Sequence, residues 1–330
     1  KSLMEKFFKV AERGSTPAQE FRAGITTFLA MAYIIAVNPA LLAAAGVPIS
    51  AAITATCLGG GVMTILMGLF ANRPLACASG MGVNAVVAFS LTPIAGGDWH
   101  AAMAVIFIEG IAILLLVLCG LREAIMDAIP VNLRHAISVG LGLFIALIGL
   151  KNSGIIIANE ATLVALGDIF SPTFIVGVIS IVATVVLYSA RVKGSLLIGI
   201  ILAVLVGIPL GVTSTPTGVV SGLDFGTFGA PFLTDGSGVM GIVKALTTPV
   251  LLVFAFSLMM SDFFDTMGSA MAIAKQGDFL TEDGNVKDIK QILIVDSAAA
   301  AAGGFFGASS ITTFIESASG AADGGRTGLS

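Results

Sequence analysis

The sequence predicts an all-α polytopic membrane protein, and two observations lead to that fold class. Of the 330 residues, 56% are hydrophobic and 11% are charged, whereas a soluble domain carries about 25% charged residues. The mean hydropathy is +1.02, and apolar runs recur that are close to the roughly 20 residues a helix needs to cross a bilayer. A chain of this composition is expected in a membrane.

The apolar runs divide the chain into nine predicted spans and the start of a tenth element. The spans lie at 22–44, 51–71, 80–95, 101–119, 134–151, 172–190, 195–213, 246–273 and 289–307, and the tenth element starts near 310. Residues 1–20 are charged and amphipathic, which predicts a helix on the membrane surface. Residues 121–133 predict a short interfacial helix broken at Pro130, and residues 214–243 predict an external loop with a short strand.

Loop charges predict the orientation, because Lys and Arg accumulate in cytoplasmic loops. With the N-terminus inside, basic residues follow the second, fourth, sixth and eighth spans. The external loops at 45–50, 96–100 and 214–243 carry none, and only Lys151 and Lys244 lie near external span ends. We therefore expect a multi-pass protein of the cell membrane (plasma or inner) with a cytoplasmic N-terminus.

Several function classes find no support in the composition. The net charge is −4 and basic runs are lacking, which argues against nucleic-acid binding. Cys57, Cys77 and Cys119 show no metal or disulfide spacing. Catalytic and nucleotide-binding motifs are also lacking, so we expect no enzyme activity, no cofactor and no bound metal.

Two stretches at membrane depth disfavour a continuous helix. They are "RPLACASGMGVN" at 73–84 and "GGFFGASSITTF" at 303–314. Non-helical backbone is tolerated in a membrane only where protein or a water-filled cavity covers it. Each stretch therefore predicts an extended segment that leads into a half-helix at a midplane binding site. The alternative is that the glycines only allow close helix packing.

The two interruptions fall in the third and tenth elements, seven elements apart. An odd offset reverses the direction of crossing, as an inverted repeat of seven elements requires. The chain would then hold one repeat and three elements of the next. We expect four further elements to follow in the complete protein.

Acidic residues inside the spans are functional candidates, because a charge in hydrocarbon costs about 3 kcal/mol or more. Glu316 lies about two turns into the tenth element, and Asp262 and Asp265 share roughly one face of the eighth span. One carboxylate could bind substrate while its neighbour carries a proton. The alternatives are a loop position for Glu316 and a cytoplasmic vestibule for one aspartate.

Three other polar residues lie within the spans. Asn84 opens the predicted half-helix, where its amide could bind the edge of a heterocycle or cap the helix. Glu109, in the fourth span, could carry a proton or bond a neighbouring helix. For Asp296, in the ninth span, we favour a structural role.

Several motifs in order along the chain resemble one transporter family. They are "AGITTFLAMAYIIAVNPALL" (23–42), "GMGVNAVVAFSL" (80–91), "FIEG" (107–110), "DFFDTMGS" (262–269) and "SSITTFIESASGAADGGRTGL" (309–329). They resemble the AzgA-type purine permeases, which are related to the nucleobase–ascorbate transporters. The resemblance implies fourteen elements in two inverted repeats, with strands and half-helices in elements three and ten. It also implies proton-coupled uptake of adenine, guanine or hypoxanthine.

The resemblance also implies site roles. Its acidic positions fall on Asp265 and Glu316, and its asparagine falls on Asn84. The implied substrate-binding set is completed by small and hydroxyl residues beside them: Gly82, Ser310 and Thr312. The candidates for coupling protons, or another cation, are Asp262, Asp265, Glu316 and Glu109. The oligomeric state stays open, with a homodimer as one option.

The resemblance divides the chain into parts of a core domain and a gate domain. After the N-terminal segment, the core is expected at 21–120 and 244–330, and the gate with the external loop at 121–243. Two other functions stay open. One is an anion transporter of the sulfate type with the same fold, although acids near the site would repel an anion. The other is a non-transporting membrane scaffold.

Overall fold

The computed structural model describes the whole chain except residues 1, 2, 122, 123, 125–129, 193, 219, 221 and 283. In this described part, six helical segments are long and apolar enough to cross a membrane. The prediction of a polytopic helical membrane protein is confirmed. The predicted interfacial helix at 121–133 lies largely outside the described residues.

The first predicted span consists of two helices. After the short helix α1 (Leu3–Phe8), helix α2 (Pro17–Met31) begins with Thr16 as its N-cap, whose Oγ1 accepts the N–H of Gln19 at 3.2 Å. Helix α3 (Ile34–Ala44) follows after a break at Ala32 and Tyr33. A proline interferes with the carbonyl four residues earlier, so Pro39, inside α3, disturbs the turn upstream of its own position.

The two predicted interruptions are both confirmed as strands that lead into short helices. After α4 (Ile49–Phe70), β1 (Cys77–Ser79) leads into α5 (Met81–Val86). Near the end of the chain, β4 (Ile311–Thr313) leads into α14 (Ser317–Ala322). The strands pair antiparallel, with Ala78 opposite Thr312. Two segments of like design that run in opposite directions are what an inverted repeat produces.

The other elements follow the predicted spans closely. A π-helical turn (Val87–Leu91) and α6 (Thr92–Ile94) continue α5. The remaining helices are α7 (Trp99–Leu118), α8 (Val131–Asn152), α9 (Pro172–Ser189), α10 (Ser195–Gly207), α11 (Gly241–Thr247), α12 (Pro249–Gly277) and α13 (Ile289–Phe306).

Strand structure between the spans differs from the prediction. Within the described residues of 214–243, a bridge between Thr234 and Met240 stands in place of the expected strand, and a 3-10 turn lies at Ala230–Phe232. A hairpin of β2 (Ile156–Asn159) and β3 (Leu163–Leu166) lies between α8 and α9 instead. This hairpin escaped prediction because its apolar residues are largely exposed and form no buried face.

Helices α7 and α13 pack together extensively at the centre of the fold. A methyl group at Gly110 of α7 would overlap the backbone of Ala301 in α13. In the other direction, a methyl group at Gly304 would lie 2.6 Å from the backbone nitrogen of Phe107. Small residues at such contacts let membrane helices approach closely. The α7–α13 pair therefore forms a rigid wall behind the crossing strands.

Candidate functional site

A cavity of about 270 Å³ lies where the two half-helices meet. We call it the central cavity. Its walls come from Gly80 after β1, the end of β4, the start of α5, the segment between β4 and α14, and one face each of α8 and α12. Its lining residues are Tyr33, Gly80, Met81, Gly82, Val83, Gly142, Ile145, Ser261, Asp262, Asp265, Ser269, Thr312, Thr313, Phe314, Ile315 and Glu316.

Helix α12 contributes a polar stripe to the central cavity. Ser261, Asp265 and Ser269 all line it, and their spacing of four residues places them on one helix face. The Asp265 side chain is exposed to the cavity. This carboxylate is therefore positioned to accept hydrogen bonds from a ligand.

Asp262 also borders the cavity, but its carboxylate is bound within the protein. Only 2% of the residue is exposed, and Oδ2 accepts a hydrogen bond from the Ser310 hydroxyl at 2.5 Å. Ser310 directly precedes β4 and is itself buried. The two aspartates predicted to share a face thus have different surroundings.

Glu316 stands at the N-cap of α14, three residues after the end of β4, so the part of the tenth element that precedes it is a strand and a short connection. It lines the central cavity together with Asp265. Its Oε1 accepts a hydrogen bond from the Tyr33 hydroxyl at 2.7 Å. Tyr33 lies at the break between α2 and α3, so that break brings the phenol to the site.

On the opposite side of the cavity, α5 presents backbone. Met81, Gly82 and Val83 form its first turn and line the cavity, and N–H groups of a first turn have no acceptor inside the helix. Gly82, one of the residues in the implied substrate-binding set, thus lines the cavity. Asn84 does not line the cavity: it is buried, and its amide nitrogen donates to Oδ1 of Asn38.

Asp296 lies behind β4 and binds the strand. Its carboxylate accepts the backbone N–H of Thr313 at 2.8 Å, and the hydroxyls of Thr313 at 2.9 Å and Thr266 at 2.7 Å. Thr312, which lines the cavity, adds a fourth bond at 3.2 Å. These contacts agree with the structural role that the sequence favours for Asp296.

Glu109 is buried in α7, with 1% of the residue exposed. Its carboxyl group faces Asp262 and Ser310. Among the described residues, neither carboxylate oxygen has a hydrogen-bond partner. It lies one layer behind Asp262 as seen from the central cavity and does not line it.

Sequence reasoning missed several cavity residues, among them Tyr33, Ser261 and Ser269. Each of these three left a signal. The chain has only two tyrosines, and one of them lies in the middle of an apolar span. The serines stand four residues before and after Asp265, the spacing of one helix face.

A larger cavity of about 410 Å³ lies between α2, α4 and β1. Its lining is mainly apolar, and no carboxylate is among the described residues that form it. The central cavity is smaller, but polar groups converge on it. Convergent polar groups in a small pocket mark the better candidate for a ligand site.

Comparison with known families now decides the class of protein. The family model Xan_ur_permease, described as a permease family, matches residues 18–327. The chain belongs to this permease family. Permeases are transporters rather than enzymes, and a multi-pass membrane protein is what the family and the apolar helices require.

Two relatives and one structure illustrate the similarity. The adenine permease AdeP of Escherichia coli is 37% identical over 99% of this chain and 72% of its own length. The guanine/hypoxanthine permease PbuO of Bacillus subtilis is 37% identical over 98% of this chain and 74% of its own length. The transmembrane domain of the cyanobacterial bicarbonate transporter BicA has a TM-score of 0.65 at 15% identity, covering 94% of this chain and 78% of that one. The last similarity concerns the fold alone.

Proposed function

We propose that this permease takes up purine nucleobases (adenine, guanine or hypoxanthine) by proton symport and alternating access. The observation that carries the proposal is the central cavity itself. It combines two carboxylates, Asp265 and Glu316, with the first-turn backbone of α5. Acceptors and donors thus face each other across one small space.

A purine base suits this arrangement chemically. It is neutral and flat, and its edges carry both N–H donors and oxygen or nitrogen acceptors. Asp265 and Glu316 can accept ring and exocyclic N–H groups, while the N–H groups of Met81 and Gly82 donate to ring nitrogens or a carbonyl. The cavity, about 270 Å³, lies just below the roughly 300–1,000 Å³ of pockets for drug-sized ligands. A single base is a ligand of fitting size.

The names of the relatives support the same substrate class, since they are an adenine permease and a guanine/hypoxanthine permease. The α5 amides alone would also suit an anion, as in the sulfate-type alternative. Two carboxylates at the same cavity would repel an anion, so a neutral base is favoured. Membership of a permease family argues against a scaffold without transport.

The position of the cavity supports alternating access. Its floor comes from the half-helices and α12, and its other side from Gly142 and Ile145 of α8. We assign α2–α7 and α11–α14 to a core domain and α8–α10 to a gate. Sliding of the core against α8 would then open the cavity to either side in turn. We place the N-terminus in the cytoplasm of a cell-membrane protein, from the loop charges.

Uptake by cells that lack their own nucleobase transporters tests this proposal. The complete protein is expressed, and uptake of radiolabelled adenine, guanine, hypoxanthine and xanthine is compared with that of sulfate and bicarbonate. We expect saturable uptake of at least one purine, faster at acidic external pH, and none of either anion. Uptake of sulfate or bicarbonate without any purine would overturn the proposal.

A further inference from the structure

Five carboxyl groups gather around the crossing strands: Glu109, Asp262, Asp265, Asp296 and Glu316. Among the described residues that line the central cavity, none has a basic side chain. The ion pairs formed by described residues all involve other acids. Buried charges without partners are strongly destabilising, so this cluster needs neutral hydrogen-bond donors or protons.

Four of the five carboxyl groups have such partners or are exposed. Asp262, Asp296 and Glu316 accept hydrogen bonds from hydroxyl groups. Asp265 is exposed in the cavity. Glu109 differs, because it is 1% exposed and neither of its oxygens has a partner among the described residues.

The surroundings of Glu109 define what could stabilise it. Its polar neighbours are Asp262 of α12, Ser310 and Asp296 of α13. The Ser310 hydroxyl already donates to Asp262. Two carboxyl groups can bond each other only when one of them carries a proton. Two neighbouring ionised carboxylates repel, which is how paired acids come to share one proton.

We propose that Glu109 and Asp262 share one proton, and that this pair carries the proton coupled to transport. The inference rests on the proposed symport and assigns the proton site within it. Asp262 borders the central cavity, whereas Glu109 is behind it. The close approach of Gly110 to the backbone of Ala301 holds this turn of α7 against α13. A proton can therefore enter from the cavity through Asp262 and be held at Glu109 while Asp265 and Glu316 bind the base.

The test compares Glu109→Gln with wild type in proteoliposomes of the complete protein, using whichever radiolabelled base, adenine or hypoxanthine, wild type transports. Gln keeps the shape and can donate a hydrogen bond to Asp262, but it carries no titratable proton. With an inward proton gradient of one pH unit, wild type with one proton per base should accumulate about tenfold. Glu109→Gln should equilibrate the base without accumulation, while its base–base exchange stays close to wild type. Glu160→Gln, the same change in an exposed loop, should behave as wild type.

Other outcomes separate this inference from the proposed function. Wild-type accumulation that persists in Glu109→Gln with the same pH profile would overturn the inference and leave the function standing. Loss of exchange as well as accumulation in a folded Glu109→Gln would also overturn it, since Glu109 would then serve base binding or packing. Absence of base transport by wild type itself would remove the proposed function.

A second variant keeps the inference testable if Glu109→Gln does not fold. Glu109→Asp retains a carboxyl group but draws it away from Asp262. It should still accumulate base, with the midpoint of its pH profile displaced from that of wild type. An unchanged pH profile in Glu109→Asp would contradict a shared proton.

Discussion

The two segments that cross at the centre, β1–α5 and β4–α14, have the same backbone design but offer a ligand opposite chemistry. In β1–α5, Gly80 and Gly82 carry no side chains, and the first helical turn, whose N–H groups have no acceptor inside the helix, lines the cavity. In β4–α14, the first turn of the helix uses its own N–H groups: Ser317 bonds Phe314 at 3.1 Å, and Ala318 bonds Ile315 at 2.9 Å. That arm presents the Glu316 carboxylate instead.

This difference teaches how an inverted repeat can become selective. Two identical helix N-termini would form a symmetric site for an anion. Replacing one set of N–H donors by a carboxylate acceptor produces a site with one donor wall and one acceptor wall. Such a site suits a neutral ligand that has both kinds of group on its edges.

Distorting the backbone of β4–α14, the arm that carries the Glu316 acceptor, should have the largest effect on stability. A methyl group at Gly303 would overlap the carbonyl oxygen of Ser309 and lie 2.8 Å from the backbone nitrogen of Ile311. Backbone cannot move aside as a side chain can, so Gly303→Ala should destabilise the fold by about 3 kcal/mol. We expect poor expression and a lower Tm in detergent. Gly61→Ala is the matched control, since no atom lies within 4 Å of a methyl group there.

Removing the charge of the acceptor, Glu316, should have the next largest effect, which is on uptake kinetics. In Glu316→Gln the amide keeps the shape but loses the charge, and its NH2 meets the N–H groups of the base. A hydrogen bond to a charged group contributes about 1.5–3 kcal/mol, so kcat/KM for the base should fall by roughly 10- to 150-fold. Initial uptake rates at equal surface expression measure this. Wild-type kinetics in Glu316→Gln would show that the two arms do not differ in function.

The sequence predicted the two arms because their causes are local. Glycine, proline and clustered hydroxyls interrupt a helix through their own backbone preferences. Acidic residues in apolar spans are rare enough to mark a site. These signals located both strands, both half-helices and the carboxylates of the cavity without any knowledge of tertiary contacts.

The sequence could not predict how the polar groups pair. Tyr33 and Glu316 are 283 positions apart in the chain, and Asn84 turns to Asn38 because of how α3 packs on α5. The break at Ala32 and Tyr33 contains neither glycine nor proline. Pairings of this kind depend on the packing of distant elements, which a single sequence does not display.

Tyr33→Phe tests the role of the Glu316 carboxylate in β4–α14 further, with a smaller expected effect on uptake kinetics. The Tyr33 hydroxyl occupies one oxygen of Glu316, which leaves Oε2 for the base. Without that bond the carboxylate is less well oriented, and we expect KM to rise roughly fivefold, for a loss of about 1 kcal/mol, with kcat unchanged. The pH profile of uptake should also shift, which a purely packing role would not cause. Tyr188→Phe is the control, because the other tyrosine is 72% exposed.

The smallest expected effect concerns the contact between the arms. A methyl group at Gly80 would lie 2.9 Å from Cγ2 of Thr312, a side-chain atom that can yield. Gly80→Ala should therefore cost only about 1 kcal/mol and lower the Tm by about 2 °C. Thr312→Ser removes that methyl group and keeps the hydroxyl that bonds Asp296.

The double variant makes the contact itself measurable. If the arms touch as described, the extra methyl group at position 80 fills the space that Thr312→Ser vacates. Gly80→Ala with Thr312→Ser should then lose less stability than the sum of the two single changes, because residues in contact are not additive. Strict additivity of the Tm shifts would mean that the two arms do not meet at this point. The donor and acceptor walls would then have to be assigned to separate sites.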